Sequence, residues 1–156
     1  MLRWRFWTSA RRWGDDSGSA SLEFITTGLI LLVPLVYLML TMSTIQGGAL
    51  AVEAASRQAA RVFVAADSAD DAAARVEIAV AYALADYGVS SEEVTVTVAC
   101  SPEPKRCLTR RGFVTVTVQS RVPLPLVPSV LDLDAPLSVP LSGEATQQVS
   151  RFWGAR

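Results

Sequence analysis

Few side chains in this sequence could do chemistry, and one of them stands in an unusual place. Glu23 opens a long uncharged apolar run directly behind a basic leader. An ionised carboxylate at the edge of hydrocarbon is expensive, so such an acid is a functional candidate that needs a partner. The plainer alternative is a headgroup-level acid that favours a helix N-terminus through the macrodipole. The other reactive groups are Cys100 and Cys107, the only cysteines, and there is no histidine. Two thiols without an imidazole fall short of a tetrahedral zinc site. A Walker-type glycine loop, a CxxC pair and paired acids in a recognisable setting are all missing, and with them the usual nucleophile, base and metal arrangements. The expectation is a protein that is not an enzyme, with no catalytic residue, metal site or cofactor.

The element that must hold Glu23 is legible from hydropathy. From Phe24 to Val52 there is no charged side chain, a run of about thirty residues where about twenty suffice to cross a bilayer. The stretch from Gly28 to Leu40 is too apolar for an ordinary surface helix, so a spanning helix is predicted over about Leu22 to Gln46. Arg3, Arg5, Arg11 and Arg12 precede it, which predicts a cytoplasmic leader and an exported C-terminal part. Trp4, Phe6, Trp7 and Trp13 suit the headgroup level of the inner leaflet. A net charge of -1 and a pI near 5.4 give no electrostatic case for nucleic acid. Of the 156 residues, only about a hundred remain for one folded domain.

The leader ends in Gly18, a small residue follows, Glu23 is the fifth position beyond the glycine, and Phe24 comes next. This arrangement resembles the class III signal of type IV pilins and pseudopilins. Glu23-Phe24 looks like the Glu-aromatic pair of the Flp/Tad branch. Pro34, within Leu31-Leu32-Val33-Pro34-Leu35, resembles the proline-bearing core of TadE-like proteins. Ala54-Ala55-Ser56-Arg57-Gln58-Ala59-Ala60-Arg61 is similar to that family's Ala-rich helix with two arginines four apart. The resemblance to TadE-like minor pseudopilins implies cleavage after Gly18 by a prepilin peptidase, leaving Ser19 as the new N-terminus. It implies pairing of Glu23 with the Ser19 amine of an adjacent subunit during pilus assembly. The implied partners are the peptidase, other pilin or pseudopilin subunits, the inner-membrane assembly platform and the lipid bilayer. The implied location is the cell membrane, single-pass, before any extraction into a pilus. Ser19 replaces the larger apolar residue of many major pilins, and the domain is far bigger than a major Flp pilin, which favours a minor or initiating component.

Other export routes compete for the same residues. Ala49-Leu50-Ala51 is a small-x-small site, and cutting there would release a soluble secreted binding module beginning at Val52. The apolar run is longer than a cleaved signal core usually is. Arg11-Arg12 hints at twin-arginine export, but Gly14-Asp15-Asp16 follow where an apolar stretch should approach. With no cysteine near the start, a lipoprotein anchor is excluded. An unprocessed single-pass envelope anchor is the third possibility.

An α+β domain is expected beyond the membrane. Residues 1–18 are the leader, 19–66 the transmembrane and extended helix, 67–150 the exported domain and 151–156 a tail. Val52, Ala55, Ala59, Val62, Phe63 and Ala66 form one helical face, opposite Glu53, Arg57 and Arg61. Glu53 and Arg57 form an i,i+4 pair in the favourable order. Gly47-Gly48 reads either as a flexible joint or as a close-packing site. A second helix is predicted from about Ser68 to Tyr87, capped by Asp67 or Ser68, favoured by Asp70 and Asp71, and ended by Gly88. Its core stripe is Val76, Ala79, Val80, Ala83, Leu84 and Tyr87.

Val94-Thr95-Val96-Thr97-Val98 and Val114-Thr115-Val116-Thr117-Val118 alternate as a half-buried antiparallel pair requires. A third strand, about Leu137 to Thr146, carries Pro140 and so belongs at an edge. Cys100 ends the first strand and Cys107 lies in the turn before the second, and export to an oxidising compartment favours a disulfide between them over free thiols. The stretch from Val122 to Leu131, with Pro123, Pro125 and Pro128, is barred from regular helix or inner strand. It packs on the core or serves an interaction, its apolar side chains being unusual for a loop.

Overall fold

The computed structural model describes residues 19–90, 94–125 and 138–154. Its elements follow the α+β order α1 (Ser19–Ala65), α2 (Ala69–Ala85), β1 (Val94–Ser101), β2 (Phe113–Pro123) and β3 (Ser138–Gln148). The described residues up to Leu38 belong to one unit and those from Met39 on to a second. The helix α1 has 47 residues and contributes residues to both units.

Within the second unit α1 is a core element. Ala51, Val52, Ala55, Ser56, Ala59, Ala60 and Phe63 are buried, whereas Val62 is half-buried. The buried stripe is therefore rotated toward the small residues relative to the pattern of large apolar ones. The reason is close approach to the sheet, which only small side chains permit. Gly47-Gly48 does not break the helix. A Cβ at Gly48 would lie 2.6 Å from Val122 Cγ2 and 2.8 Å from Leu141 Cδ1, while one at Gly47 would meet nothing within 4 Å. Close packing thus explains Gly48. The sheet reciprocates at Gly143, where a Cβ would lie 2.6 Å from the Val52 carbonyl carbon and 2.7 Å from the Glu53 nitrogen.

The start and stop of α2 are chemical. Ser68 is the N-cap, its hydroxyl accepting from the Asp71 N–H at 3.2 Å, and Asp71 Oδ2 accepts from the Asp67 N–H at 3.3 Å. These bonds satisfy donors that a helix start leaves unpaired. Arg75 Nε donates to Asp71 Oδ1 at 2.9 Å. That bond holds the Asp71 carboxyl below its ordinary range, against a smaller opposing effect of desolvation and with help from the Asp67 N–H. At the other end Gly88 takes φ +68°, and its N–H reaches the Ala85 carbonyl while that of Val89 reaches Leu84, both at 3.0 Å. Glycine suits this left-handed position because it lacks a Cβ. Ala72, Val76, Val80 and Leu84 are buried, and Tyr87, past the helix end, is exposed.

The sheet order is β1-β2-β3, all antiparallel. Val96 pairs with Val118, Thr97 with Thr117 and Val98 with Val116, so valines share the inner face and threonines the outer. The Thr115 and Thr146 hydroxyls meet across the outer face at 2.8 Å. Pro140 lies in edge strand β3, as its missing N–H requires. The central strand reaches further than its prolines suggested, since β2 includes Pro123. Pairing with β1 ends at Ser120 opposite Val94, so Pro123 faces β3 alone, opposite Ser138. Leu137 and residues 126–131 of the Pro-rich stretch lie outside the described residues.

Candidate functional site

Glu23 and Phe24 are carried in the second turn of α1. Both are exposed, Phe24 to 80%. Among the described residues Glu23 makes no ion pair. Gly18 lies outside the described residues, and Ser19 is the first residue of α1. Ser19 and Glu23 are four residues apart, so about 6 Å of axial rise separates their backbones on one face.

The following turns are apolar all round rather than on one stripe. Leu22, Ile25, Leu29, Ile30, Leu31, Leu32, Val33, Leu35 and Leu38 are all at least half exposed. The most apolar 18-residue window of α1 has a mean hydropathy of 2.2 and no buried residue. A helix of this kind needs apolar surroundings, and this one is long and apolar enough to cross a membrane. Pro34 sits inside it. Lacking an N–H, it leaves the Ile30 carbonyl without its helical donor.

In the second unit, Cys100 and Cys107 are brought to disulfide distance, with Cα atoms 5.1 Å apart. They tie the end of β1 to the middle of the loop between β1 and β2. That loop also holds the C-terminal segment, because Arg110 Nε donates to the Trp153 carbonyl at 2.9 Å. The Trp153 indole N–H in turn donates to the Ala66 carbonyl at 2.9 Å, capping the C-terminal end of α1. Sequence reasoning left this tail unassigned. An aromatic ring with one polar tip suits a half-buried docking site, but sequence does not name the carbonyl it finds.

Two surface grooves flank α2. One, about 660 Å³, runs against α1 and is lined by Val62, Ile78 and Tyr82 with Gln58, Arg75 and Asp86 at its polar positions. The other, about 470 Å³, lies between α2 and β1. Among the described residues no three metal-ligating side chains converge. The Glu53–Arg57 pair forms at 2.6 Å on an exposed surface, where such pairs contribute little.

No family model, no curated protein and no solved structure matches the chain.

Proposed function

We propose that this protein is a membrane-inserted, TadE-like minor pseudopilin, cleaved after Gly18 and acting in assembly of a Tad/Flp-type pilus. The observation that carries the reading is the placement of Glu23, four residues after Ser19, on the long all-round apolar helix α1. A carboxylate there needs a counter-charge. Cleavage after Gly18 supplies one, the free amine of Ser19, four residues away along the same face. Paired between adjacent subunits, these groups fix the axial register of helices that otherwise associate through apolar surface alone.

The work of the exported domain is structural. The cysteine pair staples its first hairpin in an oxidising compartment, and the valine face of the sheet packs the chain onto α1. Release of a soluble module after Ala51 fits poorly with the burial of Ala51 and Val52 and the seating of Gly48 on Val122 and Leu141. A chain starting at Val52 loses Gly48 and Ala51 from that packing.

Sequencing the mature N-terminus tests the reading. The expected result is Ser19, with Gly18→Leu retaining the leader and Glu23→Ala still inserting into membranes but failing to assemble. A mature chain beginning at Val52, or one that keeps residues 1–18, overturns it.

A further inference from the structure

We propose that the apolar part of α1 up to Leu38 pairs inside the bilayer with the same segment of a second copy of this chain, parallel and in register. In that pair the Tyr37 hydroxyl of each copy donates to the Ile30 carbonyl that Pro34 leaves open on the other. The pairing presupposes the membrane reading above and involves only the first unit. From Leu22 to Leu38 the polar side chains are Glu23, Thr26, Thr27 and Tyr37. At about 100° per residue, all four fall within an arc of roughly 100°. Ile30 and Pro34 lie in the middle of that arc, and the rest of the circumference is leucine, isoleucine, valine, phenylalanine and Gly28.

Hydrocarbon offers no hydrogen bond, so the polar groups on this arc need partners made of protein. Further along α1, Thr44 meets the need within its own helix by donating to the Leu40 carbonyl at 2.9 Å. Thr26, Thr27 and Tyr37 make no hydrogen bond among the described residues. The Ile30 carbonyl is the matching acceptor, because Pro34, inside the helix, has no N–H to give it. Helical carbonyls point toward the C-terminus, whereas a helical side chain such as Tyr37 leans toward the N-terminus. Donor and acceptor therefore approach the turn of Pro34 from opposite directions.

A second copy is the occupant this seam fits. Thr27, Ile30, Pro34 and Tyr37 follow at intervals of three, four and three residues, the spacing of a seam shared by two helices that coil about each other. Copies of one chain insert in the same direction, so their helices run parallel. In register, each Tyr37 stands against the turn of the other copy that holds Pro34, and the two-fold axis makes the same bond twice. A helix of another kind would have to bring a donor and an acceptor at the spacing that this chain already carries. The one conflict is Glu23 facing Glu23. Cleavage after Gly18 removes it, because each copy then brings a Ser19 amine one turn away on the same face and the four charges cancel.

Energy transfer between donor- and acceptor-labelled copies of the full chain, purified from membranes and placed in phosphatidylcholine liposomes, tests this. Transfer should be present and should fall as lipid is added. Tyr37→Phe keeps the ring and loses the donor, while Pro34→Ala gives the Ile30 carbonyl a donor in its own helix. Each should raise the dimer dissociation constant about five- to tenfold, and the double variant should lose no more than either single one. Oxidative cross-linking should join copies carrying Thr27→Cys or Ile30→Cys, but not copies carrying Ile25→Cys or Leu32→Cys on the opposite face. Absence of transfer, additive losses in the double variant, or equal cross-linking from both faces overturns the pairing. Flotation and N-terminal sequencing report the reading above separately. A chain that starts at Ser19 and floats without transfer sinks this inference alone, and one that does not float sinks both.

Discussion

Gly143→Ala is the substitution the packing opposes most. Its Cβ would come within 2.6 Å of the Val52 carbonyl carbon and 2.7 Å of the Glu53 nitrogen, whereas ordinary contacts begin near 3.4 Å. These are backbone atoms of a buried helix turn, so no side-chain rotation relieves the overlap and α1 must retreat by the better part of an ångström. Overpacking of this kind costs about 1–3 kcal/mol, and the rigidity of the obstacle places Gly143→Ala near about 3 kcal/mol. In a domain of about a hundred residues, that lowers Tm by about 12–24 °C at 4–8 °C per kcal/mol. Gly48→Ala meets only the movable ends of Val122 and Leu141, so its loss should be smaller. Gly47→Ala meets nothing within 4 Å and should stabilise the helix by about 0.5–1 kcal/mol. A thermal melt followed by Trp153 fluorescence, with Trp4, Trp7 and Trp13 changed to phenylalanine, reads all three. If Gly143→Ala melts at or above the temperature of Gly47→Ala, the account of helix-on-sheet contact is wrong.

The other predictions concern single contacts. Trp153→Phe keeps the ring but removes the donor to the Ala66 carbonyl and should lower stability by about 1–2 kcal/mol in urea unfolding; no change in the midpoint would deny the capping role. Asp71 has its carboxyl pKa depressed by Arg75, so its stabilising contribution is present above the unfolded value of about 3.9 and is lost as pH falls through the folded value. The stability gap between wild type and Asp71→Asn should accordingly shrink below about pH 4, and a gap that widens there contradicts the assignment. Non-reducing mass analysis should find Cys100 joined to Cys107. Replacing both by serine should cost about 2.5 kcal/mol for a loop this short, whereas two alkylatable thiols in the exported protein refute the staple.

Local signals carried much of the architecture. The uncharged run announced α1, Ser68, Asp70, Asp71 and Gly88 bounded α2 within two residues, and alternation located β1 and β2 with their faces. Pro140 assigned β3 to an edge. Each of these signals acts within a few residues along the chain, where capping, missing donors and side-chain period operate. The candidate site was legible to the same degree: Glu23, Phe24 and Pro34 could be placed on one helix. Gly143 was open to the same logic, since a lone glycine within a strand pattern marks a close backbone approach, but only as a warning without a partner.

By itself the sequence determined which residues are helical or extended, which faces are apolar, and that one helix is greasy enough for a bilayer. Periodicity encodes the face of an element, not what that face meets. Tertiary structure alone decided that Gly48 and Gly143 let α1 sit against the sheet, that Ala51, Ser56 and Ala60 rather than Val62 line the contact, and that Trp153 closes the end of α1 from 87 residues away. It also decided that the two valine-threonine strands differ. One is covered on its inner face and the other is left half open, because a strand's burial depends on its place in the sheet and on how far the helices above it reach.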